Sequence, residues 1–230
     1  MRKARKHGSL FPAVGQVVRS APNGTSSAPT QGSWWRRLRE ESRWFRHTQH
    51  HIQLPRWPSV HILHLTDLHL RKNDNFLERM ILELEGLTPD IVVLTGDIVT
   101  KEWERSAVER VLAILPDVPK FAILGNWEYW VAGDLTEWRT LLEQHQVQLL
   151  VDEWTTLTHN DSEITIVGTD DHLAGNSDPS KLCADLPNQP TLCLTHSPAH
   201  FDNLCIQPID LVLAGHAHGG QIRLPKLGAL

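Results

Sequence analysis

Apolar positions recur along this chain with two different periods. Residues 60–65 (Val-His-Ile-Leu-His-Leu), 90–94 (Asp-Ile-Val-Val-Leu) and 121–124 (Phe-Ala-Ile-Leu) are short β-branched and aliphatic runs, the pattern of buried strands. Between the first two runs, Phe76, Leu77, Met80, Ile81 and Leu84 repeat at helical spacing, which predicts a helix over 75–85. Residues 103–115 read as a second helix that stops before Pro116. Residues 134–145 read as a third, with Asp134 as its N-cap. This strand–helix alternation predicts a partly parallel sheet with helical crossovers. From residue 146 the rhythm changes. Residues 147–150, 155–157 and 163–167 are short strands separated only by turn residues, and 221–224 is one more. Residues 191–194 and 210–213 are strands with a short helical stretch between them. An α/β half is thus followed by a half richer in strand.

The polar residues that follow these strands form a set. Thr66-Asp67-Leu68-His69 follows the first, Thr95-Gly96-Asp97 the second and Gly125-Asn126-Trp127-Glu128 the third. Later, Thr195-His196 follows the 191–194 strand, and Gly215-His216-Ala217-His218-Gly219-Gly220 follows the 210–213 strand. In open α/β sheets ligands sit beyond the carboxyl ends of strands, and here every such end offers a metal ligand. Asp67, His69, Asp97, Asn126, His196, His216 and His218 make seven donors, too many for one ion and suited to two. A mixed oxygen and nitrogen set fits manganese, iron or zinc better than magnesium or calcium. Two such ions about 3.5–4 Å apart clamp a phosphate and activate water, and a carboxylate such as Asp97 can bridge them.

Charge divides the chain. Residues 1–57 hold 11 Lys+Arg against 2 Asp+Glu, and the remainder holds 11 against 25. The expected organisation is a basic arm over 1–57, its first 33 residues Ser/Pro/Gly/Thr-rich and disordered, on a globular domain over 58–230. An acidic domain makes a poor nucleic-acid groove and a good home for divalent cations. Within the arm, Trp34-Trp35-Arg36-Arg37-Leu38-Arg39 and Arg43-Trp44-Phe45-Arg46 fit either an amphipathic helix at an anionic membrane or a helix docked on the domain. Neither a bilayer-spanning run nor a signal-peptide core is present, so a cytoplasmic protein is expected, with peripheral contact at the inner membrane left open. Cys183, Cys193 and Cys205 fit no zinc spacing and read as free thiols of a reducing compartment.

Asp67-x-His69, Gly96-Asp97, Gly125-Asn126, His196 and Gly215-His216-x-His218 resemble the motif set of the calcineurin-like metallophosphoesterases over residues 58–230. The resemblance implies a four-layer α/β/β/α sandwich of two mixed sheets. It implies that Asp67, His69, Asp97 and His218 hold one metal and that Asp97, Asn126, His196 and His216 hold the other. The implied reaction is hydrolysis of a phosphodiester or pyrophosphate by hydroxide activated between the metals, with Asp97 and Asn126 central to catalysis. Thr66-Asp67-Leu68-His69, Asp170-Asp171 and Gly215-His216-Ala217-His218-Gly219-Gly220-Gln221 are similar to a bacterial subgroup. Its members are often membrane-associated phosphodiesterases, and some relatives cleave UDP-2,3-diacylglucosamine, so a lipid-linked phosphoester is one implied substrate. Two departures stand out. The family's Gly-Asn-His becomes Gly125-Asn126-Trp127; the usual His serves as a general acid, whereas indole donates a hydrogen bond but releases no proton. Trp127 therefore stacks on a base, lines an apolar slot or packs in the core, and a catalytically impaired metal-binding module is the alternative to an enzyme. The chain also ends at Leu230, where subgroup members continue with further strands, so the domain is expected to be short at its C-terminus.

Overall fold

The computed structural model describes residues 47–71, 75–101, 103–131, 134–218, 223–224 and 228–229. The tryptophan- and arginine-rich stretch of the arm through residue 46, and Gly219, Gly220 and Gln221, lie outside the described residues.

Strands β1 (Ile62–Leu65), β2 (Ile91–Thr95), β3 (Lys120–Ile123) and β4 (Val147–Leu149) form one sheet in that order, parallel throughout. Helices α1 (Asn75–Leu84), α2 (Arg105–Ile114) and α4 (Leu135–Gln144) connect them. Residues of all three helices share one core with Val92 and Leu94, so the helices lie on one face, as right-handed crossovers between sequential parallel strands require. The other face is left for a second sheet, of β5 (Glu153–His159), β6 (Ser162–Gly168), β7 (Thr191–Thr195) and β8 (Leu211–Ala214). There β5 and β6 pair antiparallel and the remaining pairs are parallel, so the antiparallel component of the sandwich resides in this sheet. A two-residue antiparallel pair, β9 (Arg223–Leu224) with β10 (Gly228–Ala229), follows.

Strand alternation explains the layers. In β2, Val92 and Leu94 face the helices, sharing a core with Ala122 of β3, Leu112 of α2 and Leu142 of α4. Their neighbours Ile91 and Val93 face the second sheet, where Phe121, Ile123, Ile164, Ile166, Leu192 and Leu194 complete an inter-sheet core. Both faces of β2 are buried, which is why its sequence reads as an unbroken apolar run. On the far side of the second sheet, Val167 and Cys193 pack with Cys183, just after α5 (Pro179–Leu182), and with Leu204 of α6 (Phe201–Leu204). The result is the expected α/β/β/α order. Trp57 also packs on the inter-sheet core, and Arg56 reaches Asp210 at 3.7 Å and Asn188 at 3.1 Å, so these residues before position 58 are tied to the domain.

Two helices went unanticipated. α3 (Asn126–Val131) begins at the Gly125-Asn126 turn and has six residues, too few to display a period. α5 has four and starts at Pro179, capped by Asp178. The three cysteines are free, Cys183 and Cys193 buried and Cys205 exposed. Among the described residues no helix is long and apolar enough to cross a membrane.

Ile166 is fully buried between the sheets, whereas Leu82 on α1 is 67% exposed. Ile166→Ala is expected to lower unfolding free energy by about 2–5 kcal/mol and Leu82→Ala by less than about 0.5 kcal/mol, as read from urea denaturation.

Candidate metal centre

The polar residues following β1, β2, β3, β7 and β8 meet where the carboxyl ends of the two sheets come together. Backbone bonds zip the first two loops: Asp67 N–H to Gly96 O at 3.2 Å, His69 N–H to Asp97 O at 3.0 Å and Leu70 N–H to Ile98 O at 2.8 Å. Gly96 has φ +82°, and a Cβ there would lie 2.5 Å from the Gly125 nitrogen; a Cβ on Gly125 would lie equally close to the Asp97 nitrogen. Only glycine permits this approach. Asp67, His69, Asp97, His216 and His218 all have positive φ, between 45° and 64°. Left-handed backbone at non-glycine residues costs on the order of 1–3 kcal/mol each and concentrates at functional sites. Here it turns five of the seven candidate donors inward.

All seven donors come together. Asp67, His69 and His218 offer ligand atoms within 4.8 Å of one another, and Asp97, His196 and His216 form a second such group. Asn126 Oδ1 joins the second, 3.2 Å from His196 Nε2 and 3.1 Å from His216 Nδ1. Asp97 links the groups. Its Oδ1 accepts the Trp127 N–H at 2.9 Å. Its Oδ2 lies 3.4 Å from His196 Nε2 and 3.9 Å from His69 Nε2. Asp67 is fixed by Thr66 Oγ1 donating to Oδ2 at 2.9 Å and by the His216 N–H donating to Oδ1 at 3.0 Å. His196 Nδ1 donates to the Thr95 carbonyl at 2.7 Å, which fixes the tautomer and leaves Nε2 facing the group. His69 Nε2 and His218 Nε2 face each other at 3.3 Å, as His196 Nε2 and His216 Nδ1 do at 3.2 Å. Nitrogens converging in pairs beside carboxylates form a donor set that a divalent cation satisfies.

The electrostatics agree. Burial lowers the His196 pKa, but the hydrogen bond and charge of Asp97 outweigh burial and push it up to about 9. Burial likewise opposes ionisation of Asp97, yet His196, the Trp127 N–H and His69 hold it below the usual carboxylate range. His69 is lowered by burial, against the pull of Asp97. His196 and Asp97 thus each favour the charged form of the other. Behind them, burial brings His64 down to about 4, and its Nε2 meets Thr95 Oγ1 at 2.7 Å.

Two further residues organise the centre. Glu128 is 0% exposed and accepts four backbone N–H groups: Asp97 at 2.9 Å, Ile98 at 2.8 Å, Val99 at 3.3 Å and Gly125 at 2.8 Å. It fastens the β2 and β3 loops to each other. Burial and the Asp97 charge push its pKa up to about 7, against the pull of those donors. In the sequence it shows only as the last residue of the Gly125-Asn126-Trp127-Glu128 stretch. Asp170 was legible only as part of a motif; it accepts Tyr129 Oη–H at 2.5 Å and the Asn176 N–H at 3.0 Å, tying α3 to the loop after β6. Trp127 is half-buried, not a core residue. Its ring stands edge-on to His69 at 6.0 Å. His159 contacts the Ser59 carbonyl at 3.3 Å and His200 contacts Thr195 Oγ1 at 3.3 Å, outside the two donor groups.

These two donor groups could each hold a metal ion, and residues 60–220 match the calcineurin-like phosphoesterase family. The chain belongs to that family. It is 29% identical to the UDP-2,3-diacylglucosamine pyrophosphatase LpxG of Chlamydia trachomatis, over 72% of this chain and 65% of that protein. It is 33% identical to the phosphodiesterase YaeI of Escherichia coli, over 61% of this chain and 53% of that protein. The chain spans about half to two thirds of the length of these curated relatives. Among solved structures, the NAD nucleotidase NadN of Haemophilus influenzae shares the fold, with a TM-score of 0.51 at 16% identity, over 69% of this chain and 38% of that one.

Glu128→Ala strands four buried N–H donors. It is expected to lower unfolding free energy by about 3 kcal/mol or more, with Glu128→Gln intermediate, measured by urea denaturation of the metal-free protein.

Proposed function

We propose that the chain hydrolyses a phosphodiester or pyrophosphate bond with two divalent cations of the manganese, iron or zinc type. Asp67, His69, Asp97 and His218 would hold one cation, and Asp97, Asn126, His196 and His216 the other. The observation that carries this reading is the position of Asp97 Oδ2, which faces a histidine of each donor group, at 3.4 and 3.9 Å. When bound, such cations polarise phosphoryl oxygens and lower the pKa of water. The chain's own residues supply order. The Trp127 N–H occupies Asp97 Oδ1 and keeps Oδ2 directed between the groups. The Thr95 carbonyl fixes His196, and Glu128 holds the two loops that carry Asp97 and Asn126.

Trp127 bears on the substrate. Its indole supplies no transferable proton, so at this position the departing oxygen leaves without a general acid. Acidic leaving groups fit that condition, and the phosphate released from a pyrophosphate is one. The likeness to a pyrophosphatase and a phosphodiesterase supports the same two bond types. A lipid-linked substrate is supported by the first of these relatives. Peripheral contact with an anionic membrane, from the cytoplasmic side, is supported by the basic arm with its tryptophan and arginine clusters.

Asp97→Asn is expected to reduce manganese-dependent hydrolysis of bis-p-nitrophenyl phosphate to background. Undiminished turnover would overturn the proposal, and wild-type protein that binds metal yet turns over no phosphoester would be a non-catalytic metal module. Trp127→His restores an imidazole at the leaving-group position. It is expected to raise turnover of an alkyl phosphodiester by about 10²-fold while changing that of a p-nitrophenyl ester far less, as a comparison of kcat across leaving groups will show.

A further inference from the structure

Beside the candidate metal centre the chain exposes a large aromatic side chain that is not among the seven donors. Trp130 is 60% exposed, although burying such a side chain is worth about 1.5–3 kcal/mol or more. Its ring meets that of Trp127 at 5.5 Å and 69°, and Trp127 in turn stands 6.0 Å from His69. A tilted edge contact covers at most one face of a ring, so Trp130 keeps a broad indole face open to solvent. The short helix that carries both rings is held at three successive residues. The Trp127 N–H is bound by Asp97, the Glu128 carboxylate by four backbone donors and the Tyr129 hydroxyl by Asp170. An exposed indole on so fixed a backbone is preorganised to receive a ligand.

We propose that Trp130, braced by Trp127, is the stacking face for a planar ring that a sugar separates from the scissile phosphate, namely the nucleobase of a nucleotide-type substrate. This rests on the hydrolytic reading above, which puts the phosphate at the metal centre. The order of the rings decides which planar group fits. An aromatic ring esterified directly to phosphorus comes up against Trp127, next to His69. A ring one sugar further out passes Trp127 and reaches Trp130. Stacking of a base on an aromatic side chain contributes about 1–3 kcal/mol and needs an open face rather than an enclosing groove.

The test uses full-length, manganese-loaded protein and two substrates with one leaving group, the p-nitrophenyl ester of thymidine 5′-monophosphate and ethyl p-nitrophenyl phosphate. Trp130→Ala is expected to raise KM for the nucleotide ester about tenfold more than KM for the ethyl ester, with kcat little moved, and Trp130→Phe to recover most of the loss. Trp154→Ala, an exposed tryptophan on β5, is the control and leaves both substrates unaffected. Calorimetric titration with adenosine 5′-monophosphate reads the same face without turnover, and Trp130→Ala is expected to weaken binding about tenfold. Equal KM shifts for the two esters would overturn the proposal, as would an octyl p-nitrophenyl ester that depends on Trp130 as strongly as the nucleotide does. Nucleotide binding that depends on Trp130 in a protein without turnover would uphold the stacking face while the hydrolytic reading fell. Turnover with no dependence on Trp130 would do the reverse.

Discussion

Crowding two carboxylates, an amide oxygen and four imidazoles into one centre requires loops to approach more closely than side chains ordinarily allow. Glu128 makes that approach stable. With no exposure to solvent, its carboxylate takes N–H bonds from both sides of the junction between the β2 and β3 loops. The absence of a Cβ at Gly96 and Gly125 leaves the space. Left-handed backbone at Asp67, His69, Asp97, His216 and His218 then aims the donors inward. Each of these conformations is locally unfavourable, and they persist because the surrounding hydrogen bonds leave the loops no alternative. Replacing any one of these side chains therefore removes a donor atom without necessarily releasing the backbone that presents it.

The fold and the donors were legible in the sequence for different reasons. The strands of the first sheet show as apolar runs because both faces of β2 and β3 are buried, one under helices and one under the second sheet. Those runs locate the strand ends, and the strand ends locate Asp67, Asp97 and Asn126. His196, His216 and His218 follow from the same logic applied to β7 and β8. What stayed hidden was the supporting structure. Glu128 sits in a helix of six residues, and its role depends on backbone groups some 30 positions away, which no local pattern encodes. Asp170 holds Tyr129 across 41 positions. The identity of such residues is visible in a sequence, but their partners are created by the fold.

Trp127 illustrates a third case. Chemistry alone excluded it as a proton donor, while its environment stayed open among a substrate face, an apolar slot and the core. Half-burial beside His69, with Trp130 exposed at its edge, favours the first of these. The same residue gives its backbone N–H to Asp97 and sets its ring between those of His69 and Trp130.

The division of donors between sheets has a mechanical consequence. Asp67, His69, Asp97 and Asn126 ride on the first sheet, and His196, His216 and His218 on the second. Each donor group draws on both: Asp67 and His69 are matched by His218, and Asp97 by His196 and His216. Sliding one sheet over the other by a fraction of an ångström changes every distance between these sets and none within them. The centre therefore acts as a vernier on the docking of the two sheets. A substitution deep in the layer of Ile123, Ile166 and Leu192, remote from every donor, has a direct geometric route to the chemistry.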